Sequence, residues 1–231
     1  EAKAEFIKLF GKDAVAACIL DVTDANTIQQ STKEASLSFG GLDLIVNNAG
    51  ISISKTIEDH TEKDWDLLYD ILVKGQMLIT QSAVGIMRKQ NMGGDILNIV
   101  SKNALVSGPN NAGYGSAKAA QLHLSRLNAA ELGKDKIRVN VVNPDAVIAG
   151  SNIWSGGWAE GRAKAYGIKI EELPAYYAGR TLLNEIILPE DIANAVHYLA
   201  SDAASMVTGV ILPVDGGNLS FNAGGNLGLY S

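Results

Sequence analysis

In the stretch Tyr114-Gly-Ser-Ala-Lys118 a phenol and a primary amine stand four positions apart. Four residues make slightly more than one helical turn, so in a helix both side chains leave the same face. A free phenol ionises near pH ~10, too high to exchange protons near neutrality, but an ammonium beside it favours the phenolate and lowers that value. The pair is then a general acid/base; its plain alternative is a polar stripe on a solvated helix. Ser101 stands upstream at the end of a Val- and Ile-rich run. At the C-terminal end of a parallel strand, where open sheets place their ligand crevices, its hydroxyl can hold a substrate oxygen while Tyr114 exchanges the proton.

The elements that must position these groups follow from hydrophobic periodicity. Short apolar runs predict strands over 14–20 (AVAACIL), 42–48, 94–101, 137–143 and 209–215, and segments of helical period predict helices over 25–39, 61–90, 112–132 and 189–201. The alternation predicts an α/β fold, a Rossmann-like doubly wound parallel sheet. Thr61 with Asp64 forms a capping-box pattern, and Pro189 followed by Glu190 and Asp191 suits a first helical turn. Residues 151–184 break the alternation and hold two of the three tryptophans, which suggests an excursion over one sheet edge. The Gly/Asn-rich tail 222–231 reads as a loose terminus or a subunit contact.

The 231 residues are 47% hydrophobic and 19% charged, which suits a single domain over 1–231. A net charge of -6 without a basic run disfavours nucleic acid as a partner. Cys18 is the only cysteine; its apolar neighbours predict a buried thiol, and the lack of a disulfide suits a reducing, cytoplasmic setting. No apolar run approaches the roughly 20 residues of a membrane span. The first residues read as an amphipathic helix entered midway, without Met, as expected for a piece of a longer chain. His60, His123 and His197 are isolated, and neither His-Glu-x-x-His nor Gly-x-Ser-x-Gly occurs, so neither a metal site nor a serine hydrolase is expected.

The order Ser101, Tyr114-x-x-x-Lys118 resembles the short-chain dehydrogenase/reductase family. So do Leu20-Asp-Val22, Asn47-Asn-Ala-Gly50, Arg138 to Pro144 and Thr208 to Gly217, which stand in family order over nearly the whole chain. The resemblance implies Tyr114 as general acid/base, Lys118 as the group that lowers its pKa and holds the nicotinamide ribose, and Ser101 as the group that orients the carbonyl or alcohol. It further implies that Asp21 and Val22 contact adenine, that Asn47, Ala49 and Gly50 flank the adenosine ribose, and that Pro144 and Val147 border the nicotinamide. The cofactor would be NAD or NADP, with NAD ahead. The partners would be a small carbonyl or alcohol substrate and a second copy of the chain, in a homo-dimer or homo-tetramer. Taken singly, Asn47 to Gly50 is also an ordinary strand-end turn, and Asp21 a cap for the helix that begins near Asn26.

Three departures stand against that pattern. Leu72 occupies the place of a family Asn that holds a relay water, and leucine has neither donor nor acceptor. Asp145 replaces a common glycine, either to contact a polyol or to cap the next helix. No Gly-x-x-x-Gly-x-Gly follows a strand, so the turn that presents N–H groups to a pyrophosphate is missing. In the family strand order 3-2-1-4-5-6-7 this implies a truncated sheet without its first two strands, and poor dinucleotide binding. Residues 101–105, 143–147, 151–168 and 176–183 look like the C-terminal dehydrogenase part of bifunctional rhamnulose-1-phosphate aldolase/alcohol dehydrogenases. That likeness implies lactaldehyde from rhamnose breakdown as substrate and an aldolase domain upstream. The competing expectation is an inactive, cofactor-free fold that acts through its subunit interface.

Overall fold

Val- and Ile-rich segments form the sheet because β-branched side chains fit a pleated surface buried on both sides. In the computed structural model, which describes residues 2–154 and 157–218, β1 (Leu44–Asn47), β2 (Gly94–Ile99), β3 (Ile137–Pro144) and β4 (Ile211–Val214) pair in that order, all parallel. The helices are α1 (Ala2–Phe10), α2 (Ala25–Phe39), α3 (Glu62–Tyr69), α4 (Gly75–Gln90), α5 (Ala112–Leu132), α6 (Trp158–Tyr166), α7 (Leu173–Ala178) and α8 (Pro189–Ala200). Helices α4 and α5 cover one face through Ala83, Val84, Met87, Ala129 and Leu132, packed on Ile96 and Val139. On the other face Leu199 of α8 packs on Leu97 and Val142. Arg138 ties α8 to the sheet: it donates to the carbonyls of Leu199 and Ala204 and pairs with Asp95 at 2.8 Å. No helix among the described residues is long and apolar enough to cross a membrane. The tail 222–231 lies outside the described residues.

The capping box is formed: the Thr61 hydroxyl accepts from the Asp64 N–H at 3.1 Å, and the Asp64 carboxylate accepts from the Thr61 N–H at 3.0 Å. The helix it starts is not continuous to residue 90. A π-turn over Asp70–Lys74 separates α3 from α4, and the Gly75 N–H reaches back to the carbonyl of Asp70. Leu72 sits in that wide turn, wholly buried against Leu68 and Tyr114. The extra residue of a π-turn turns a side chain inward that a regular helix would aim elsewhere.

The expected strand over 14–20 is absent. Residues 12–14 form a 3-10 turn and 15–20 have no regular structure. A strand exists only through a ladder partner, and this segment lies along α2 instead, where the Ser31 hydroxyl donates to the carbonyl of Ile19 at 2.6 Å. Ile19 is therefore 91% exposed, and Cys18 is exposed rather than buried. Asp24, not Asp21, caps α2, accepting from the Asn26 N–H at 2.9 Å; Asp21 turns back to accept from the N–H and hydroxyl of Thr23. Val22 is held against the start of α4, where a Cβ on Gly75 would come within 2.9 Å of its carbonyl oxygen.

Candidate active site

Ser101 follows β2 at its C-terminal end. Its N–H donates to the Asn143 side-chain oxygen on β3 at 3.1 Å, and its hydroxyl accepts from the Asn103 N–H at 3.2 Å. Those bonds aim the hydroxyl toward the beginning of α5, where Tyr114 is the third residue and Lys118 follows one turn later. The Tyr114 phenol lies near enough to Ser101 for that hydroxyl to favour its ionised form, and its ring packs edge-on against Trp158 at 5.4 Å between centroids. The Lys118 amine lies 5.7 Å from the centre of the Tyr114 ring and donates to the carbonyl of Ile99 at 3.1 Å.

Burial governs the protonation of both. It pushes the Tyr114 phenol up to about 12, against the opposing effect of the Ser101 hydroxyl, and it holds the Lys118 amine down to about 7. The ammonium therefore does not bring the phenol toward neutrality in this state, contrary to the argument from spacing alone. A stability prediction follows from the sign. Between pH 7 and 10.5 the unfolded chain binds the Lys118 proton and the folded chain does not, so stability rises with pH across that window and falls as pH drops toward 7. Tyr114 keeps its proton in both states through most of that range and adds the opposite slope only above pH 10. Urea unfolding of Lys118→Met should show this slope removed; a variant with the wild-type pH dependence would contradict it.

A cleft of about 1150 Å³ opens at the strand ends, with Ala49, Gly50, Ser101, Tyr114, Pro144 and Val147 among its lining residues. Lys118 stands behind Tyr114 and outside that lining. Asn47 and Val22 line an adjoining cavity of about 240 Å³ beside β1, which shares Leu44, Val46, Asn48 and Ala49 with the cleft, and Asp21 lines neither. The structure thus places Pro144 and Val147, assigned to the nicotinamide, around one space with Ala49 and Gly50, assigned to the adenosine ribose, and leaves Asn47, Val22 and Asp21 out of its lining. The chemistry of the lining fits the nicotinamide half of a dinucleotide: an apolar border at Pro144 and Val147 beside the hydroxyls of Ser101 and Tyr114.

The described parts of residues 151–184 line the cleft and end beside the turn that follows edge strand β4, where the Leu182 N–H donates to the carbonyl of Gly216 at 2.8 Å. Their helices close the cleft, bringing Trp158, Arg162, Tyr166, Tyr177 and Arg180 into its wall. Sequence reasoning missed these and missed Lys102; the only signal was the concentration of aromatic and basic residues in an otherwise irregular segment. Asp145 neither caps a helix nor stands free for a polyol. It accepts from the Lys102 amine at 2.6 Å and from the Asn218 amide, with both members of the ion pair almost fully buried.

The family profile described as enoyl-(acyl carrier protein) reductase matches residues 1–218. An uncharacterized oxidoreductase of Methylorubrum extorquens is 36% identical over 217 residues, covering 94% of this chain and 82% of that protein. The chain belongs to the short-chain dehydrogenase/reductase family. Within that family the uncharacterized oxidoreductase YuxG of Bacillus subtilis is 42% identical over 208 residues, which are 90% of this chain and 30% of that relative's length. The crystal structure of sorbitol-6-phosphate 2-dehydrogenase SrlD from Erwinia amylovora superposes with a TM-score of 0.88 at 25% identity, over 94% of this chain and 84% of that one. A structure of ElxO with NADP bound gives a TM-score of 0.80 at 25% identity, over 94% and 84%.

Proposed function

We propose that this short-chain dehydrogenase/reductase chain transfers hydride between a nicotinamide cofactor and a small alcohol or sugar-derived carbonyl compound. The observation that carries the reading is the meeting of the Ser101 and Tyr114 hydroxyls in one cleft at the C-terminal ends of β2 and β3. The bound nicotinamide supplies the hydride chemistry. Ser101, locked by Asn103 and Asn143, orients the substrate oxygen. Tyr114 gives that oxygen its proton on reduction and takes it on oxidation. Lys118, whose amine burial holds down to about 7, stands behind Tyr114 as the group that would return its proton. Pro144 and Val147 would border the nicotinamide, Asn47, Ala49 and Gly50 would flank the adenosine ribose, and Asp21 and Val22 would contact adenine. ElxO, a structural neighbour, binds NADP, and either nicotinamide dinucleotide suits the nicotinamide end of this cleft.

Among candidate substrates, lactaldehyde is the uncharged one that the sequence phrases imply, and SrlD is named for a sugar phosphate. The exposed apolar side chains Met77 of α4 and Leu127 of α5 suit packing against a second copy of the chain. The test is to follow the absorbance of NADH and of NADPH with the 231-residue chain, cofactor in excess, against lactaldehyde and a simple ketose. Substrate-dependent loss of reduced cofactor is expected with at least one carbonyl compound. Its absence with these and with a ketose phosphate and a keto acid, in chain shown to be folded, would favour the inactive-fold reading instead.

A further inference from the structure

The wall of the cleft holds two guanidinium groups that form no ion pair among the described residues, though Asp145 and the tyrosines around Arg180 favour its charge. Arg162 is 3% exposed, its Nη2 donates to the carbonyl of Pro109 at 2.6 Å, and its Nε is buried without a partner among the described residues. Arg180 lies 6.0 Å from the centre of the Tyr166 ring, and Arg162 lies 5.8 Å from the same ring. Both side chains line the cleft with Ser101 and Tyr114. Neither forms an ion pair among the described residues. The carboxylate nearest to them, Asp145, is already engaged by Lys102 and Asn218.

Arg162, buried with its Nε unpartnered among the described residues, is costly without a counter-ion, and an anion that accepts from it, with the partly exposed Arg180 beside it, restores both charge and hydrogen bonding. The same positive field is felt by Tyr166: burial works to raise its phenol, yet hydrogen bonding and the two nearby arginines leave it below its ordinary value. Trp158 links the two ends of the cleft. One side of its ring meets Tyr114 at 5.4 Å, and Arg162 lies 4.9 Å from its centre. An anion held by the arginines would therefore sit about one indole away from the reacting hydroxyls.

We propose that Arg162 and Arg180 form an anion subsite that receives a carboxylate or phosphate group carried by the substrate a few carbons from its reacting carbon. The inference rests on the proposed oxidoreductase reading and narrows it to hydroxy or keto acids and sugar phosphates. Lactaldehyde has no charge, leaves the subsite unfilled, and becomes a poor substrate.

Two measurements test it separately from the reaction. Trp154 and Trp158 line the cleft, so tryptophan fluorescence of the 231-residue chain should change saturably on titration with inorganic phosphate or with acetate; the anion that saturates at the lower concentration identifies the group. Arg180→Gln should weaken that binding about tenfold or more. Should that variant not fold, protection of Arg180 in the native chain from phenylglyoxal by the same anion, read by mass spectrometry, gives the answer. In turnover, kcat/KM for a ketose phosphate or keto acid should exceed that of its uncharged counterpart by about 10- to 100-fold, and the ratio should collapse in Arg180→Gln. Equal turnover of charged and uncharged substrates, with no saturable response to either anion, overturns the subsite and leaves the oxidoreductase reading standing. Saturable anion binding that Arg180→Gln weakens, in a chain that turns over nothing, supports the subsite and sinks that reading.

Discussion

Asp145→Ala is expected to destabilise the chain by about 3–5 kcal/mol at neutral pH. The carboxylate lies 2.6 Å from the Lys102 amine, and the two side chains are 7% and 6% exposed, so its removal leaves a charge that water cannot reach. Burial already lowers the pKa of Lys102, and Arg180 pushes the same way, while Asp145 opposes both. Without Asp145 the folded state holds the amine neutral at a still lower pH than before. The unfolded chain keeps its proton up to about 10.5, so the variant's stability should rise with pH toward that value as the deficit shrinks. A second substitution, Lys102→Met, should recover a large part of the loss, because a thioether needs no counter-ion. Urea unfolding of the single and double variants measures both effects. A single variant as stable as wild type near pH 7 would mean that Lys102 is solvated or re-paired in a way the cleft does not show.

Such a pair was beyond reach of the sequence because its members are 43 positions apart and meet only when the ends of β2 and β3 lie side by side. Local patterns did better. The runs at 94–101 and 137–143, rich in Val and Ile, became the two central strands, and Thr61 with Asp64 forms its box within one helical turn. The run at 14–20 has the same composition but no ladder partner beside it, and composition alone does not supply one. Its failure also explains Cys18, whose predicted burial depended on that strand. The π-turn around Leu72 breaks no propensity rule, since each of its residues is at home in a helix; it is fixed by packing against Tyr114. At the site, Ser101, Tyr114 and Lys118 were legible as a spaced set, while the protonation of the last two was not. Spacing places an amine near a phenol, and only the packed structure shows that both are removed from water.

Tyr114→Phe should lower kcat/KM by about 10²–10⁴-fold, the usual contribution of a positioned proton donor or acceptor. The substitution keeps the ring that packs against Trp158, Leu68 and Leu72, so the cleft should retain its shape. What disappears is the hydroxyl beside Ser101, while the packing of the ring is kept. Retained affinity for the anion or the cofactor, beside lost turnover, would separate a chemical role from a packing role. The deciding measurement is the rate of reduced-nicotinamide oxidation by wild type and Tyr114→Phe, side by side with the same carbonyl substrate and excess cofactor. A loss of at least about a hundredfold in a folded variant is the predicted result; equal rates would contradict the assignment of Tyr114 as the group that moves the proton.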